Sequence, residues 1–375
     1  MSLYTGFLRP LLFRADPEHV HDRAIRTAEW ASGESWLRAQ IGRKLHFDFP
    51  SLAVEVAGMR FQHPLGLAAG FDKNGRGIPL WEAFGFSHVE IGSVSAHFSA
   101  GNPKPRLFRV PEERAIVVNY GLPNEGADRV GERISKLHCS APLGLNIVNT
   151  NRGQGAPPET DEAIIADYVA SVRRLEPVST YLVLNLSCPN TCDGRAFVSD
   201  ANRVRQLLDA VGAAQPQKPL FLKVAPFAET AALERFLETV DPYEYIRGFS
   251  INLPPGKPPG MSVPAERLKS MPGAVSGKPA EAAANRAISQ MYSRIDRRRH
   301  VIIGSGGVFT AEDAWRKIQL GASLVQLLTA MVYEGPAIVK RICEGLARIV
   351  ERERIRNLHD AVGSATVLNA TSPKR

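Results

Sequence analysis

The stretch Val301-Ile-Ile-Gly-Ser-Gly-Gly307 is a short apolar run of β type that ends in a glycine turn. An amphipathic segment from Ala311 to Leu320 follows, and then a second apolar run, Leu324-Val-Gln-Leu-Leu-Thr329. Strand, helix, strand is the repeating unit of a parallel sheet, because parallel neighbours need a long crossover that is usually helical. Outward from this unit the same kind of run recurs at residues 64–70, 88–94, 142–148, 180–187, 219–225 and 247–253. Amphipathic stretches separate most of them: Glu162 to Leu175, Ala201 to Val211, Ala228 to Val240 and Pro336 to Val350. Eight strands with returning helices predict an α/β fold, a closed (β/α)₈ TIM barrel. An open doubly wound sheet more often has five or six strands.

The 375 residues are compatible with one such barrel plus additions. A hydrophobic fraction of 44% with 22% charged residues excludes wholesale disorder. No uncharged apolar run approaches the ~18 residues of a membrane-spanning helix, and the N-terminus lacks a secretory signal. The net charge of +8 is concentrated in Arg294 to Arg299 and in the stretch from Lys340 onward. Neither region interleaves aromatics with its basic residues, so a solvated basic face is favoured over nucleic-acid binding. The four cysteines, Cys139, Cys188, Cys192 and Cys343, are too few for a disulfide scaffold and lack histidine neighbours for zinc, which points to a reduced compartment and no metal site.

Polar residues gather where the predicted strands end: Asp72-Lys73, Asn146, Asn185 with Ser187-Cys188, Lys223, Asn252, and Gly304 to Gly307. In a barrel all these positions share the C-terminal rim, so dispersed residues become one candidate pocket. The first fifty residues precede the barrel. Leu3, Tyr4, Phe7, Leu8, Leu11 and Leu12 have helical spacing, and Asp16-Pro17 reads as an N-cap with proline at the first helical position. Two amphipathic helices are expected there, their apolar faces either docking on the barrel or dipping into a membrane interface and guiding an apolar ligand inward. On residue pattern alone docking is favoured. The expected organisation is an N-terminal extension (1–45), a barrel (46–352) and a basic C-terminal tail (353–375).

Several motifs carry a resemblance. Phe7-Leu-Arg, Leu12-Phe13, Asp16-Pro-Glu-His-Val-His21, Pro64-Leu-Gly-Leu-Ala-Ala-Gly-Phe-Asp-Lys73 and Gly101-Asn-Pro-Lys-Pro-Arg-Leu-Phe-Arg109 resemble the membrane-associated, quinone-dependent class of dihydroorotate dehydrogenases. Asn185-Leu-Ser-Cys-Pro-Asn-Thr191, Leu222-Lys-Val-Ala-Pro226, Ser276-Gly-Lys-Pro279, Ile303-Gly-Ser-Gly-Gly307 and Gly321-Ala-Ser-Leu-Val-Gln326 extend the match in order along nearly the whole chain. The resemblance implies an FMN-binding barrel that oxidises dihydroorotate to orotate in pyrimidine biosynthesis, with quinone as acceptor and a peripheral place on the cytoplasmic side of a membrane.

That chemistry removes a proton beside a carbonyl and a hydride from the neighbouring carbon. The resemblance makes Cys188 the base and Lys223 the cation beside the flavin. It gives Lys73, Asn119, Asn185, Asn190 and Asn252 to the substrate, for which amides suit a ring of alternating carbonyl and N–H groups. It gives Gly277, Gly306, Gly307 and Thr329 to the flavin phosphate, and Ala69, Gly70, Ser93 and Asn146, with Asn185 and Lys223, to the rest of the cofactor. His21 and Arg106 fall at quinone-side positions.

The chain also departs from the family pattern. Cysteine at 188 replaces the serine usual in the quinone class and matches the soluble class. A thiol, with ordinary pKa near ~8.5, is a better base than an alcohol. Asn119-Tyr-Gly-Leu-Pro-Asn124 is one residue shorter than the corresponding loop of either class, Ile251-Asn252-Leu253 stands in place of T-N-T, and Leu328-Thr329 in place of Tyr-Ser. The lid after Thr191 reads Cys-Asp-Gly-Arg where the family has Pro-Gly-Leu-Arg. Three alternatives follow: another cyclic amide or enone substrate, a soluble acceptor such as fumarate, and a non-catalytic flavin-binding protein.

Overall fold

The computed structural model describes residues 3–153, 155–187 and 199–366. All eight apolar runs are strands: β1 (Leu65–Leu67), β2 (His88–Val94), β3 (Leu143–Ile147), β4 (Tyr181–Asn185), β5 (Leu220–Val224), β6 (Ile246–Ile251), β7 (Val301–Gly304) and β8 (Leu324–Leu327). Each pairs in parallel with the next, and β8 pairs with β1 to close the barrel. Closure removes the free sheet edge that an open arrangement would leave. The returning helices bury one stripe each; the helix Ala201–Ala213, for example, buries Val204, Leu207, Leu208 and Val211.

Inside the barrel, large and small residues alternate across neighbouring strands. A Cβ on Gly66 would lie 2.1 Å from His88 Nε2, and one on Gly144 would lie 2.2 Å from the Tyr181 ring. Those two glycines therefore make room for the large side chains that plug the bottom of the barrel, where Tyr181 also meets Phe221 edge-on with ring centroids 5.6 Å apart. At the rim, a three-stranded antiparallel sheet joins Leu107–Val110, Ala115–Val118 and Ala274–Gly277. The long segment from Pro254 to Pro279 thus contains a strand and the short helix Ala265–Lys269.

The N-terminal segment begins with a π-helical turn, Tyr4–Leu8, that runs into α1 (Arg9–Leu12). As the Asp16-Pro17 pair predicts, α2 (Pro17–Gly33) starts with the Asp16 side chain accepting from His19 N at 2.8 Å. The second expected helix is divided: Glu34 takes an extended conformation after Gly33, and α3 (Ser35–Leu45) continues beyond it. The appendage docks as expected on one face and leaves apolar side chains exposed on the other. One side docks on the barrel through Tyr4 Oη to Val332 O (2.7 Å), Arg9 to Tyr333 O (2.9 Å) and an Arg76–Glu29 pair (2.5 Å). The other leaves Leu3, Phe7, Leu11, Trp30 and Trp36 more than half exposed.

The deepest docking contact is ionic. Glu18, at 5% exposure, accepts from Arg106 Nε at 3.1 Å and Nη2 at 2.9 Å, and Arg106 Nη1 donates to the carbonyls of Ala100 and Asn102. At the other terminus the tail is packed through its described part. Leu358 and Ala361 are buried, Tyr292 Oη donates to Val362 O at 3.0 Å, and Gly363 N to Ile318 O at 3.0 Å. The basic segment from Arg294 is a surface feature whose arginines pair with Glu234, Asp241 and Asp296.

Three stability changes follow. Glu18→Ala leaves a buried guanidinium without its carboxylate and is expected to cost about 3 kcal/mol in denaturant unfolding. Lys104→Ala removes only an exposed partner of the same carboxylate and should cost under about 1 kcal/mol. Gly66→Ala, which drives a methyl into the His88 ring, should lower stability by about 1 to 3 kcal/mol, read as a fall in Tm.

Candidate functional site

A single cavity of about 950 Å³ runs from the rim of the barrel to the N-terminal helices. Its inner part is lined by Gly70, Ser93, Asn185, Lys223, Asn252 and Gln326, all on or just beyond strand ends. Its outer part is apolar, with Leu8, Leu11, Leu12, Val20, Ala24 and Phe84 in the wall. Polar floor and apolar entrance are therefore one continuous space.

The floor is a directional hydrogen-bond chain. Asn252 Nδ2 donates to Asn185 Oδ1 (3.2 Å), and Asn185 Nδ2 donates to Ser93 Oγ (3.2 Å). Ser93 Oγ donates in turn to Asn146 Oδ1 (2.5 Å), and Asn146 Nδ2 to Glu90 Oε1 (2.8 Å). The same Glu90 oxygen accepts from Lys223 Nζ at 3.1 Å, while Gln326 Nε2 donates to Oε2 at 2.7 Å. Strand register brings these groups together, since Asn185 lies opposite Lys223 in the β4–β5 pairing. Asn146 stands behind Ser93, outside the cavity lining, and reaches it through that hydroxyl.

At one side of the floor, Gly277 (φ +94°), Gly306 (φ +89°) and Gly307 (φ +74°) lie in the cavity wall with Ser276 and Thr329. A Cβ at Gly277 would sit 2.3 Å from Arg114 O and one at Gly307 2.4 Å from Glu281 Cβ. These positions need glycine for both conformation and space, and they expose backbone to the cavity without side-chain cover. Thr329 Oγ1 donates to Ser276 Oγ at 3.0 Å. Ala69 and Gly70 line the same space, and Gly70 N donates to Gly92 O at 2.7 Å. A bare glycine cradle beside a floor of amides and one lysine fits a flavin mononucleotide: backbone donors for the phosphate, and paired donors and acceptors for the ring. Among the described residues no cluster of His, Cys, Asp and Glu could hold a metal ion.

Between floor and entrance, Lys73 Nζ sits 3.9 Å from the centroid of the Tyr120 ring. Loss of water around Lys73, and then the Arg106 guanidinium, push its pKa down to about 8, against the opposing pull of Asp72, Asp22 and Glu18. His21 lies edge-on to Phe71 at 5.4 Å and close to Tyr120 at 6.3 Å. Burial, with the charge of Lys73 second, drives the His21 pKa down to about 3, so the ring is neutral at ordinary pH.

Asn119 and Arg106, expected on the substrate and quinone sides, do not line the cavity, and the alternation of the extended backbone they belong to is the reason. Ile116, Val118 and Tyr120 line the cavity, so the intervening Asn119 points away; Asn102 Nδ2 donates to its Oδ1 at 3.1 Å. Likewise Leu107 and Arg109 line the cavity, whereas Arg106 lies on the opposite face in the Glu18 clamp. Arg109 Nη1 donates to the carbonyls of Leu12 (3.1 Å) and Ala15 (3.0 Å), which fixes it at the entrance. Leu253 joins Asn252 in the wall. Cys188, Asn190 and Cys192 lie outside the described residues. The segment leading to them is placed, with Ser187 buried and its Oγ donating to Lys223 O at 3.3 Å. Sequence reasoning passed over Glu90, Gln326, Tyr120 and Arg109. Glu90 and Gln326 were visible as polar residues within apolar strand runs, whereas Arg109 needed only the alternation with Leu107.

A family model described as dihydroorotate dehydrogenase matches residues 51–350. The chain is 39% identical over 364 residues to a dihydroorotate dehydrogenase (quinone) of Mycobacterium sp. (strain KMS), covering 96% of this chain and 99% of the relative. It is 36% identical over 369 residues to one from Gloeobacter violaceus, covering 97% and 99%. Among solved structures, ligand-free DHODH from Eimeria tenella superposes with a TM-score of 0.79 at 28% identity, covering 93% of this chain and 99% of that one. The same organism's DHODH in complex with ferulenol gives 0.77. With its closed parallel barrel and a matching model over most of its length, the chain belongs to the dihydroorotate dehydrogenase family, oxidoreductases that act on CH–CH bonds.

Proposed function

We propose that this protein oxidises dihydroorotate to orotate, with FMN as its redox group and a membrane quinone as electron acceptor. The observation that carries the proposal is the single cavity joining the polar floor at Lys223, Asn185 and Asn252 to an apolar entrance between the N-terminal helices. Gly277, Gly306, Gly307 and Thr329 would hold the FMN phosphate; Gly70, Ser93, Asn185 and Lys223 would meet the ring. When bound, FMN would supply the acceptor for a hydride and the redox link to a quinone. Everything else is work for the chain's own groups. Asn185 and Asn252 orient a flat amide ring, Lys73 attracts the substrate carboxylate, and Cys188 takes the proton from the carbon beside the carbonyl. Arg109 and the neutral His21 line the path of the quinone.

The reading includes peripheral seating on the cytoplasmic side of a membrane, and the apolar entrance supports the membrane contact. Leu3 is 78% exposed, Phe7 66% and Trp36 62%, and all belong to the appendage that frames the cavity mouth. Among the described residues no helix is long and apolar enough to cross a membrane. Leu253, a hydrocarbon side chain in the wall beside Asn252, and the shortened loop at Asn119 favour a second reading in which another cyclic amide or enone is the substrate.

Turnover of dihydroorotate with a soluble quinone by the flavin-loaded protein decides between the two. Robust activity removes the second reading, and bound FMN without turnover removes the first. Lys73 is charged below about pH 8 and neutral above it, so KM for dihydroorotate should rise as pH increases through 8. Lys73→Gln should raise KM at pH 7 and flatten that dependence; a profile with the same inflection in the variant refutes the role. Leu3→Asp with Phe7→Asp should reduce sedimentation with anionic lipid vesicles and turnover of a long-chain quinone at least fivefold. Turnover with a soluble dye should stay within twofold, and equal losses with both acceptors would count against membrane access.

A further inference from the structure

Glu90 lies inside the barrel at 0% exposure, between the apolar Val89 and Ile91 of its strand. Both carboxylate oxygens are taken by donors from three other strands: Lys223 and Asn146 on Oε1, Gln326 on Oε2. Lys223 and Gln326 reach the cavity; Glu90 stands behind them. The salt bridge to Glu90 is the only one that Lys223 makes among the described residues. A buried ion pair is a poor source of stability, since a well-packed apolar pair of the same volume is often as stable or more so. Its effect is instead on the field at the floor. A lone ammonium there would present a full positive charge to whatever lies above it, whereas the pair presents a dipole of zero net charge.

We propose that Glu90 is a positioning residue that holds the Lys223 ammonium at the cavity floor and, by offsetting its charge, sets the reduction potential of the flavin bound there. This rests on the flavin reading of the cavity given above. Two-electron reduction adds negative charge to the flavin ring, which Lys223 favours and Glu90 opposes. Neutralising Glu90 alone therefore favours the reduced cofactor, neutralising Lys223 alone disfavours it, and neutralising both restores a balance near that of the unaltered protein. The isosteric Glu90→Gln change removes the charge and keeps one oxygen to accept from Lys223 and Asn146, while Gln326 must turn its amide over to accept from the new NH₂.

The test is flavin content per chain, followed by the midpoint potential of the holoprotein against reference dyes. Glu90→Gln is expected to shift the reduction equilibrium about tenfold toward reduced flavin, which is about 30 mV upward for a two-electron couple. Lys223→Met should shift it about tenfold the other way, and Glu90→Met with Lys223→Met should return within threefold of the unaltered protein. A merely structural role for Glu90 predicts lower flavin content or stability but no ordered, opposite shifts in potential. If Glu90→Gln folds too poorly to hold flavin, the comparison of Lys223→Met with the double variant decides, and the absence of a rise on adding the Glu90 change overturns the inference. Flavin present with an unchanged or lower potential in Glu90→Gln also overturns it. An unaltered protein that neither carries nor takes up FMN overturns the flavin reading itself, and this inference with it.

Discussion

A buried carboxylate accepts hydrogen bonds and donates none, and at Glu90 that constraint orders the whole floor of the barrel. Asn146 must turn its NH₂ toward Glu90, which leaves its oxygen to accept from Ser93. Ser93 then has lone pairs free for the NH₂ of Asn185, whose oxygen accepts in turn from Asn252. The last oxygen, on Asn252, accepts from the backbone of Leu253 at 2.9 Å. Each amide in the series could face either way in isolation, and the acceptor at the head of the line selects one orientation for all. Buried networks of this kind are strong when every member is satisfied and expensive when one is not. A change at Glu90 is therefore felt at Asn252, four hydrogen bonds away.

Much of the fold was legible because a parallel barrel repeats one simple pattern. Eight apolar runs separated by amphipathic stretches give eight strands, and Asp16-Pro17 marks the start of α2 where the helix begins. The barrel rim also explains why Gly70, Ser93, Asn185, Lys223, Asn252, Gly277 and Gly306, scattered over more than two hundred positions, meet in one cavity. What the pattern concealed was local. Gly33 and Glu34 divide the second N-terminal helix, because an extended residue after glycine costs little when the flanking helices dock separately. The stretch after Arg352 has the charge of a solvated tail, yet Leu358 and Ala361 anchor its described part, residues 353–366.

The site residues divide by the same logic. Motifs locate a segment along the chain, but the face that a side chain presents depends on register, and a one-residue displacement in a strand reverses it. Asn119 and Arg106 are chemically suitable for the pocket and lie just beyond strands that border it, but the alternation of that extended backbone turns Val118, Tyr120, Leu107 and Arg109 inward. Glu90 and Gln326 escaped notice for the opposite reason. They sit in strands whose hydrophobic character suggests packing alone, and only closure of the barrel shows that their side chains share an interior with Lys223.

The clamp that holds the appendage completes the argument from floor to entrance. Arg106 is drawn to the far side of its strand by Glu18, and that same alternation leaves Arg109 facing the cavity, where it binds the carbonyls that end α1. Tyr120 lies between the two halves of the site, with Lys73 at 3.9 Å from its ring centroid and Arg106 at 5.4 Å. The two cations share one aromatic face system, and Arg106 is also a cause of the lowered Lys73 pKa. The position of α2 is thus coupled to the charge of Lys73: Glu18 moves with α2, holds Arg106, and itself favours the charged lysine. An appendage that frames the apolar entrance is in this way tied electrostatically to the group that faces the polar floor.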